Sequence, residues 1–149
     1  MKKLVLIIFL MAAGFSGYAQ LERPKLVVGI VVDQMRWDYL YRFYNHYTDG
    51  GFKRMLREGY SCGNTLINYL PSYTAVGHTT IFTGSVPSLH GIAGNNWTIQ
   101  KTGQTTYCTD DSTVQTVGAT GNTGRMSPRN LEVTTITDEL RLATNFQSK

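Results

Sequence analysis

A group of hydroxyl side chains beside a histidine is the part of this sequence best suited to chemistry. The stretch LPSYTAVGHTT, residues 70–80, carries five hydroxyls, and each could be a buried hydrogen-bonded group, a helix cap or a nucleophile. The overlapping segment AVGHTTIFTG predicts a helix that ends at Gly84. Thr74 then lies at the mouth of this helix, where free N–H groups and the positive end of the helix dipole favour an alkoxide or a bound phosphate.

The other polar residues of this stretch have ordinary structural interpretations. Ser72 is the competing helix cap. Thr79, Thr80 and Thr83 fall inside the helix, where a threonine hydroxyl usually bonds to its own backbone. A hydroxyl needs a base or a metal ion to ionise at neutral pH. We interpret His78, the nearest histidine in the sequence, as a packing or hydrogen-bonding residue, so the activating group stays open at this point.

Two predicted strands bring polar residues to one edge of a sheet. RPKLVVGIVVDQ predicts a buried parallel strand over Leu26–Val32 that ends at Asp33, and a second strand is predicted over Ser61–Tyr69. In open α/β folds, ligands bind beyond the carboxyl ends of such strands, which places Asp33 and Thr74 at the same edge. The competing interpretation of Asp33 is a cap for the helix that follows it.

The remaining segments complete an alternation of strands and helices. Helices are predicted in WDYLYRFYNHY and in GGFKRMLREG, the second ending at Gly59, and a short helix is predicted in DELRLAT after Thr137. A surface hairpin is predicted around residues 101–104, and residues 110–130 are predicted to be irregular. The fold class is therefore α/β with a mainly parallel sheet. Because the alternation calls for another strand at its end, we expect the N-terminal part of a larger domain.

The first twenty residues are typical of a secretory signal. A positive start, an apolar middle and small residues before a cleavage site are provided by Lys2 and Lys3, by residues 4–13, and by Gly17 and Ala19. We expect a signal peptide over residues 1–19 and a mature chain from near Gln20 that is periplasmic or secreted. The apolar run is well short of the roughly 20 residues that span a bilayer, so stable membrane insertion is not expected.

Charge and cysteine content narrow the range of partners. Removal of Lys2 and Lys3 lowers the formal net charge from +4 to +2, and no basic stripe typical of a nucleic-acid-binding protein is evident. Nucleic acid is therefore not an expected partner. Cys62 and Cys108 are the only cysteines, and their spacing leaves open whether they pair in an exported protein.

Three segments together resemble the N-terminal part of the alkaline phosphatase superfamily: GIVVDQMRWDYL, SYTAVGHTTIFTGSVPSLHGIAGNNW and SPRNLEVTTITDELRLAT. They are most similar to the exported PafA-type alkaline phosphatases and to the nucleotide pyrophosphatase/phosphodiesterases. The resemblance covers essentially all of the chain after the signal, and its T-x-x-x-H block followed by G-S-x-P-x-x-H-G-I-x-G-N is specific. It implies an alkaline-phosphatase-like α/β fold, of which residues 20–149 form an incomplete N-terminal part.

The resemblance also implies a hydrolase of small-molecule phosphate esters that uses two zinc ions. Asp33 matches an aspartate that binds one zinc, and Thr74 matches a threonine that binds the same zinc and becomes phosphorylated. Asn95 matches an asparagine that donates to a non-bridging phosphate oxygen. His90 is expected to be structural. Two zinc ions can stabilise the attacking and leaving oxygens together, which agrees with the chemistry expected at Thr74.

Departures from the family pattern leave alternatives open. The other metal ligands of the family are later aspartates and histidines, and Asp33 and Thr74 alone cannot make two tetrahedral sites, so we expect this chain by itself to be inactive. The lysine and arginine of the phosphomonoesterase branch would fall beyond Lys149. Phosphate monoesters are the first choice of substrate. The alternatives are a phosphodiesterase or nucleotide pyrophosphatase and a non-catalytic extracytoplasmic binding module. A sulfatase is disfavoured because no C-x-P-x-R segment is present.

Overall fold

The structure, a computed structural model, describes residues 24–149, which fall into two compact units. Residues 24–30 belong to the first unit, and Val31–Lys149 form the second. The predicted signal peptide and the predicted mature start at Gln20 lie outside the described residues. No helix between residues 24 and 149 is long and apolar enough to cross a membrane.

Short helices and one hairpin make up the regular structure of the second unit. In chain order the elements are α1 (Tyr39–Arg42), a 3₁₀ turn (Tyr44–His46), α2 (Gly51–Glu58), α3 (Thr74–Thr83), α4 (Pro87–His90), the strands β1 (Asn96–Ile99) and β2 (Gln104–Tyr107), and α5 (Ile136–Ala143). Helix α2 ends before Gly59 and α3 before Gly84, as the sequence predicts. Gly84 has φ 64°, a left-handed conformation that glycine adopts without a Cβ clash.

Helix α5 begins earlier than the sequence predicts. Its first residue is Ile136, and its N-cap is Thr135, whereas the prediction starts the helix after Thr137. The Thr135 side chain accepts from the Asp138 N–H, and the Asp138 carboxylate accepts from the Thr135 N–H at 2.8 Å. This capping box satisfies two backbone donors at once, which explains the earlier start.

The predicted surface hairpin is confirmed. Strands β1 and β2 pair antiparallel, with Asn96 opposite Tyr107 and Ile99 opposite Gln104. The connection includes Gly103 at φ 70°, a conformation that favours glycine in a short turn. The hairpin is the only ladder of strands in the part of the chain that the structure describes.

The two predicted parallel strands, residues 26–32 and 61–69, do not form in the described residues. Apolar side chains from residue 26 to residue 30 are between 69% and 78% exposed. The second segment is broken by a turn in which the Thr65 hydroxyl donates to the Cys62 carbonyl at 3.4 Å. A parallel strand depends on ladder partners and on side chains that cover both faces. Neither segment has a ladder partner in this part of the chain, so the apolar pattern is not converted into a strand.

The buried centre of the second unit is small and partly polar. Among the described residues, Val76 on α3 is fully buried and Ile92 is 4% exposed, while His90 and Asp111 are the buried polar residues at 0% and 5%. Close packing at this centre therefore depends on hydrogen-bonded side chains as well as on apolar ones. Cys62 and Cys108 are not bonded to each other.

Candidate active site at the start of helix α3

Thr74 is the first residue of helix α3, and it is exposed. Tyr73 precedes it with extended dihedral angles (φ −65°, ψ 163°), and the Tyr73 carbonyl accepts from the Gly77 N–H at 2.8 Å. The predicted competing cap, Ser72, is not the N-cap, and the N-cap Tyr73 makes no side-chain hydrogen bond to the helix. The first-turn N–H groups therefore remain available to partners from elsewhere in the fold.

Asn95 supplies one such partner from the segment that leads into β1. Its Oδ1 accepts from the Ala75 N–H at 2.8 Å. Because a backbone N–H can meet only an acceptor, this bond fixes the amide with its oxygen on the helix and leaves Nδ2 as the outward donor. Nδ2 makes no hydrogen bond to any residue that the structure describes. Asn95 lines, with Tyr73 and Asn96, a cavity of about 250 Å³.

A glycine is required immediately before Asn95. A Cβ at Gly94 would lie 2.9 Å from the Asn96 carbonyl oxygen, which is closer than real Cβ contacts allow. The Cys108 N–H also donates to the Asn95 carbonyl at 2.9 Å, so the backbone on both sides of this asparagine is fixed. These constraints place the Asn95 amide against the start of α3.

Asp33 lies in a turn and does not cap a helix. The Met35 N–H donates to the Val32 carbonyl at 3.4 Å across this turn, and Gln34 has φ 57°. The N-cap of the following helix α1 is Asp38, so the alternative interpretation of Asp33 as a helix cap is wrong.

The turn brings the Asp33 carboxylate to the face of α3 that carries Thr74 and His78. The Thr74 hydroxyl lies 3.5 Å from Asp33 Oδ2, and His78 Nε2 lies 3.8 Å from Asp33 Oδ1. Both contacts are longer than the hydrogen bonds usual for these donors. The structure thus brings Asp33, Thr74 and Asn95 together around the start of one helix and adds His78, while the roles expected for these residues stay predictions.

The separation of Asp33 and Thr74 fits two ligands of one cation. Oxygens bound at about 2.0–2.2 Å to a tetrahedral zinc ion lie about 3.3–3.6 Å apart, whereas an O–H···O hydrogen bond is usually about 2.7–2.8 Å long. The observed distance is 3.5 Å. Within residues 24–149, no group of three or more His, Cys, Asp or Glu side chains is placed to hold a metal ion. The spacing of Asp33 and Thr74 therefore suits two ligands of one cation, which is fewer than the three or four protein ligands of a zinc site.

His90 is a structural histidine that joins α4 to α3. Its Nδ1 accepts from the Ile92 N–H at 3.1 Å, so Nε2 carries the proton and donates to the Thr80 hydroxyl at 3.2 Å. Tyr69 also donates to Thr80, at 2.7 Å. Burial lowers the pKa of His90. The expectation that Thr80 bonds to its own backbone is wrong, because its hydroxyl is bonded to these two side chains and to no backbone carbonyl of the described residues.

Asp111 anchors the loop that follows the hairpin, a role that the sequence analysis missed. Its carboxylate accepts from the hydroxyls of Ser127 at 2.5 Å and Thr113 at 2.6 Å, and from Arg129 Nη1 at 3.1 Å. The Ser127 hydroxyl, followed by the Thr113 hydroxyl and N–H, holds the pKa of Asp111 well below its usual range. The local signal was the sequence D-S-T, in which an aspartate bonds to the backbone two residues on.

Comparison with known proteins identifies the class to which this arrangement belongs. The chain belongs to the type I phosphodiesterase / nucleotide pyrophosphatase family, whose model matches residues 27–145.

Particular relatives are also similar to the chain. It is 66% identical over 128 residues to alkaline phosphatase PafA of Elizabethkingia meningoseptica, covering 85% of this chain and 23% of that protein. It is 63% identical over 127 residues to alkaline phosphatase PhoV of Synechococcus elongatus, with the same coverage of 85% and 23%. A protein of Myroides odoratus named calcium-transporting ATPase is 66% identical over 130 residues, covering 87% of this chain and 24% of that protein.

Solved structures give the same result for the fold. The crystal structure of wild-type PafA matches with a TM-score of 0.81 and 66% identity over 85% of this chain and 25% of that one. A crystal structure of a PafA variant matches with a TM-score of 0.81 and 65% identity, over the same shares of the two chains. The predicted alkaline-phosphatase-like α/β fold is thereby confirmed. The chain spans about a quarter of the length of these relatives.

Proposed function

We propose that the protein containing these residues hydrolyses phosphate monoesters through a covalent phosphothreonine at Thr74. The observation that supports this proposal is the meeting of three side chains at the start of α3. The Thr74 hydroxyl lies 3.5 Å from the Asp33 carboxylate, and the Asn95 amide is held against the same helical turn by the Ala75 N–H. Phosphoryl transfer of this kind uses a nucleophile, a metal ligand and a hydrogen-bond donor to the phosphoryl oxygens.

The relatives support the same assignment of residues. The PafA variant carries a threonine replaced by serine and an asparagine replaced by alanine, 21 positions apart, and Thr74 and Asn95 have the same separation. That variant also carries substitutions of a lysine and an arginine two positions apart, which would fall beyond Lys149 when counted from the same threonine. The similar curated relatives PafA and PhoV are named as alkaline phosphatases.

Each residue has a defined part in the proposed reaction. Asp33 and Thr74 would hold one of two zinc ions, with the other ligands supplied by further segments of the protein. Bound zinc would lower the pKa of the Thr74 hydroxyl and offset charge on the transferred phosphoryl group. Thr74 Oγ1 loses its proton to solvent and forms a bond to phosphorus as the bond from phosphorus to the leaving oxygen breaks, and the leaving oxygen takes up a proton from solvent to depart as the alcohol. Water then loses a proton and attacks the phosphothreonine, the bond between phosphorus and Thr74 Oγ1 breaks, Oγ1 takes up a proton, and inorganic phosphate is released.

Asn95 and the helix act on the phosphoryl oxygens. The free Nδ2 group of Asn95 donates to a non-bridging oxygen as its charge grows in the transition state. The N–H groups of the first turn of α3 and the helix dipole favour the same negative charge. The N-terminal residues support export, so we place the substrate, a small phosphate ester, in the periplasm or outside the cell.

The decisive experiment substitutes Thr74 in the full-length protein. Thr74→Ala should abolish turnover of a chromogenic phosphate monoester, while Thr74→Ser should retain a measurable part of it because the hydroxyl survives. Acid quenching during turnover, followed by peptide mass spectrometry, should recover phosphate on Thr74. An alanine variant that hydrolyses the ester as fast as the parent would contradict the proposal.

A phosphodiesterase or nucleotide pyrophosphatase is the second candidate, and the family description favours it. The same three residues would serve, because the nucleophile and the phosphoryl contacts are common to both reactions. Comparing kcat/KM for a chromogenic monoester and diester in the full-length protein separates the two. A full-length protein that takes up no zinc and hydrolyses neither ester would indicate a non-catalytic binding module.

A further inference from the structure

His78 lies one helical turn after Thr74, beside the carboxylate that we assign to the metal. Residues four apart on a helix share a face, so the two side chains point toward the same side of α3. They meet different oxygens of one group: Thr74 faces Asp33 Oδ2 at 3.5 Å, and His78 Nε2 faces Asp33 Oδ1 at 3.8 Å.

The Nε2 atom of His78 is shielded from solvent although the side chain as a whole is 40% exposed. It makes no hydrogen bond to the residues that the structure describes. A shielded polar nitrogen without a partner is costly, so an acceptor within reach should be used. Asp33 Oδ1 is such an acceptor, and the gap must close by about 0.8 Å to reach the usual N–H···O length of about 3.0 Å.

We propose that His78 is a positioning residue, whose Nε2–H donates to Oδ1 of Asp33 and so presents Oδ2 to the cation shared with Thr74. The inference rests on the proposed function, because it assigns a role toward the same metal. Carboxylates that bind metals are commonly oriented by a second hydrogen bond of this kind. His78 acts through Asp33, since no hydrogen bond joins it to Thr74 in the described residues.

The test compares three variants of the full-length protein with the parent. His78→Leu removes the donor at similar volume, whereas His78→Gln keeps an N–H near the position of Nε2. Thr79→Val is the matched control, because it alters the neighbouring residue on α3 without touching Asp33. Zinc affinity is measured by competition with a chelator, and kcat and KM are measured at saturating zinc. His78→Leu should weaken zinc binding by about 10–100-fold with KM unchanged, and His78→Gln and Thr79→Val should remain near the parent.

A double-mutant cycle separates positioning from general support of the fold. If His78 acts through Asp33, His78→Leu should have little further effect on zinc affinity in an Asp33→Asn background. If His78→Leu fails to fold, His78→Asn replaces it, because its shorter amide does not reach Oδ1. The inference would be overturned if His78→Leu lowered zinc affinity as much in the Asp33→Asn background as in the parent. It would also be overturned if His78→Leu alone bound zinc as tightly as the parent.

The failure of this inference can be told apart from failure of the proposed function. A parent protein that hydrolyses monoesters and binds zinc, beside a His78→Leu variant that does both equally well, contradicts only the role of His78. A parent that binds no zinc contradicts the proposed function and this inference together.

Discussion

Two aspartates in the second unit have opposite surroundings. Asp111 is 5% exposed, and its oxygens accept short hydrogen bonds from Ser127, Thr113 and Arg129. The Asp33 side chain is 43% exposed, and its side-chain partners, Thr74 and His78, stand 3.5 and 3.8 Å away.

The difference indicates which carboxylate can take a ligand. The lone pairs of Asp111 are already used by four donors at 2.5–3.1 Å, so binding a cation would require those bonds to break. Asp33 has no short bond to lose in the described residues, and it faces a hydroxyl at a helix N-terminus. Filled hydrogen-bonding capacity is typical of a structural aspartate, and unfilled capacity beside a hydroxyl at a helix N-terminus favours the ligand role that we propose for Asp33.

The largest expected effect comes from neutralising Asp33. Asp33→Asn in the full-length protein should bind the zinc shared with Thr74 much more weakly. It should also lower kcat/KM by more than the factor of about 10² expected for one lost oxyanion donor. Its Tm in the presence of chelator should stay close to that of the parent, because the carboxylate makes no short hydrogen bond to any residue between 24 and 149. Zinc content and Tm are measured on the same preparation. Parental zinc content in this variant would break the distinction between the two aspartates.

Asn95 should give the next largest effect on activity. Asn95→Ala should lower kcat/KM by a factor on the order of 10² with zinc content unchanged, since a transition-state donor is lost. Asn95→Asp keeps an acceptor for the Ala75 N–H and suits a helix N-terminus, so it should fold as stably as the parent. It should nevertheless lose at least as much activity, because a carboxylate offers no donor and repels phosphate. An active Asn95→Asp would show that capping is the whole role of this residue.

Local signals in the sequence were enough to predict several elements. The start of α3 at Thr74, its end at Gly84 and the end of α2 at Gly59 depend on residues within one turn of the boundary. The hairpin depends on a short connection between two mostly exposed strands. The strands at residues 26–32 and 61–69 depend on partners elsewhere, and the apolar pattern alone does not supply them.

The contacts of the candidate site also divide into those that the sequence predicts and those that depend on packing. The sequence predicted that Asp33 and Thr74 meet, because each follows a segment predicted to be a strand of one sheet. The two residues do approach each other, although those strands do not form in the described residues, and their roles stay predictions until substitutions are measured. The bond from Ala75 to Asn95 and the approach of His78 to Asp33 join residues 20 and 45 positions apart. Such contacts follow from the packing of turns against α3, for which no local pattern exists.

Asp111 should affect stability and leave the chemistry intact. Asp111→Asn should lower the Tm of the full-length protein by several degrees, while zinc content and kcat per folded molecule stay at parental values. Because the folded pKa of Asp111 is lowered, its contribution to the free energy of unfolding is complete above about pH 4 and is lost as the pH falls through the folded pKa. The Tm of the variant should therefore fall less steeply with decreasing pH than the Tm of the parent. If the Tm of the variant falls as steeply as that of the parent, the anchoring role of Asp111 is contradicted.

His78 and His90 differ in the same way as the two aspartates, since His90 has its hydrogen bonds filled and His78, among the described residues, does not. Substitution of His90 has the smallest expected effect. His90 is fully buried with both ring nitrogens bonded, and burial lowers its pKa, so the unfolded chain binds a proton that the folded protein does not. Its contribution to stability is complete above the unfolded pKa of about 6.5 and decreases as the pH falls below it, by no more than about 1.4 kcal/mol per pH unit for one proton. His90→Asn can still accept from the Ile92 N–H but cannot titrate, so it should be less stable at neutral pH and should lose this part of the slope. Tm measured between about pH 7.5 and 5.5 checks this. An unchanged slope in the variant would show that the proton binds elsewhere and that the buried histidine is not the titrating group.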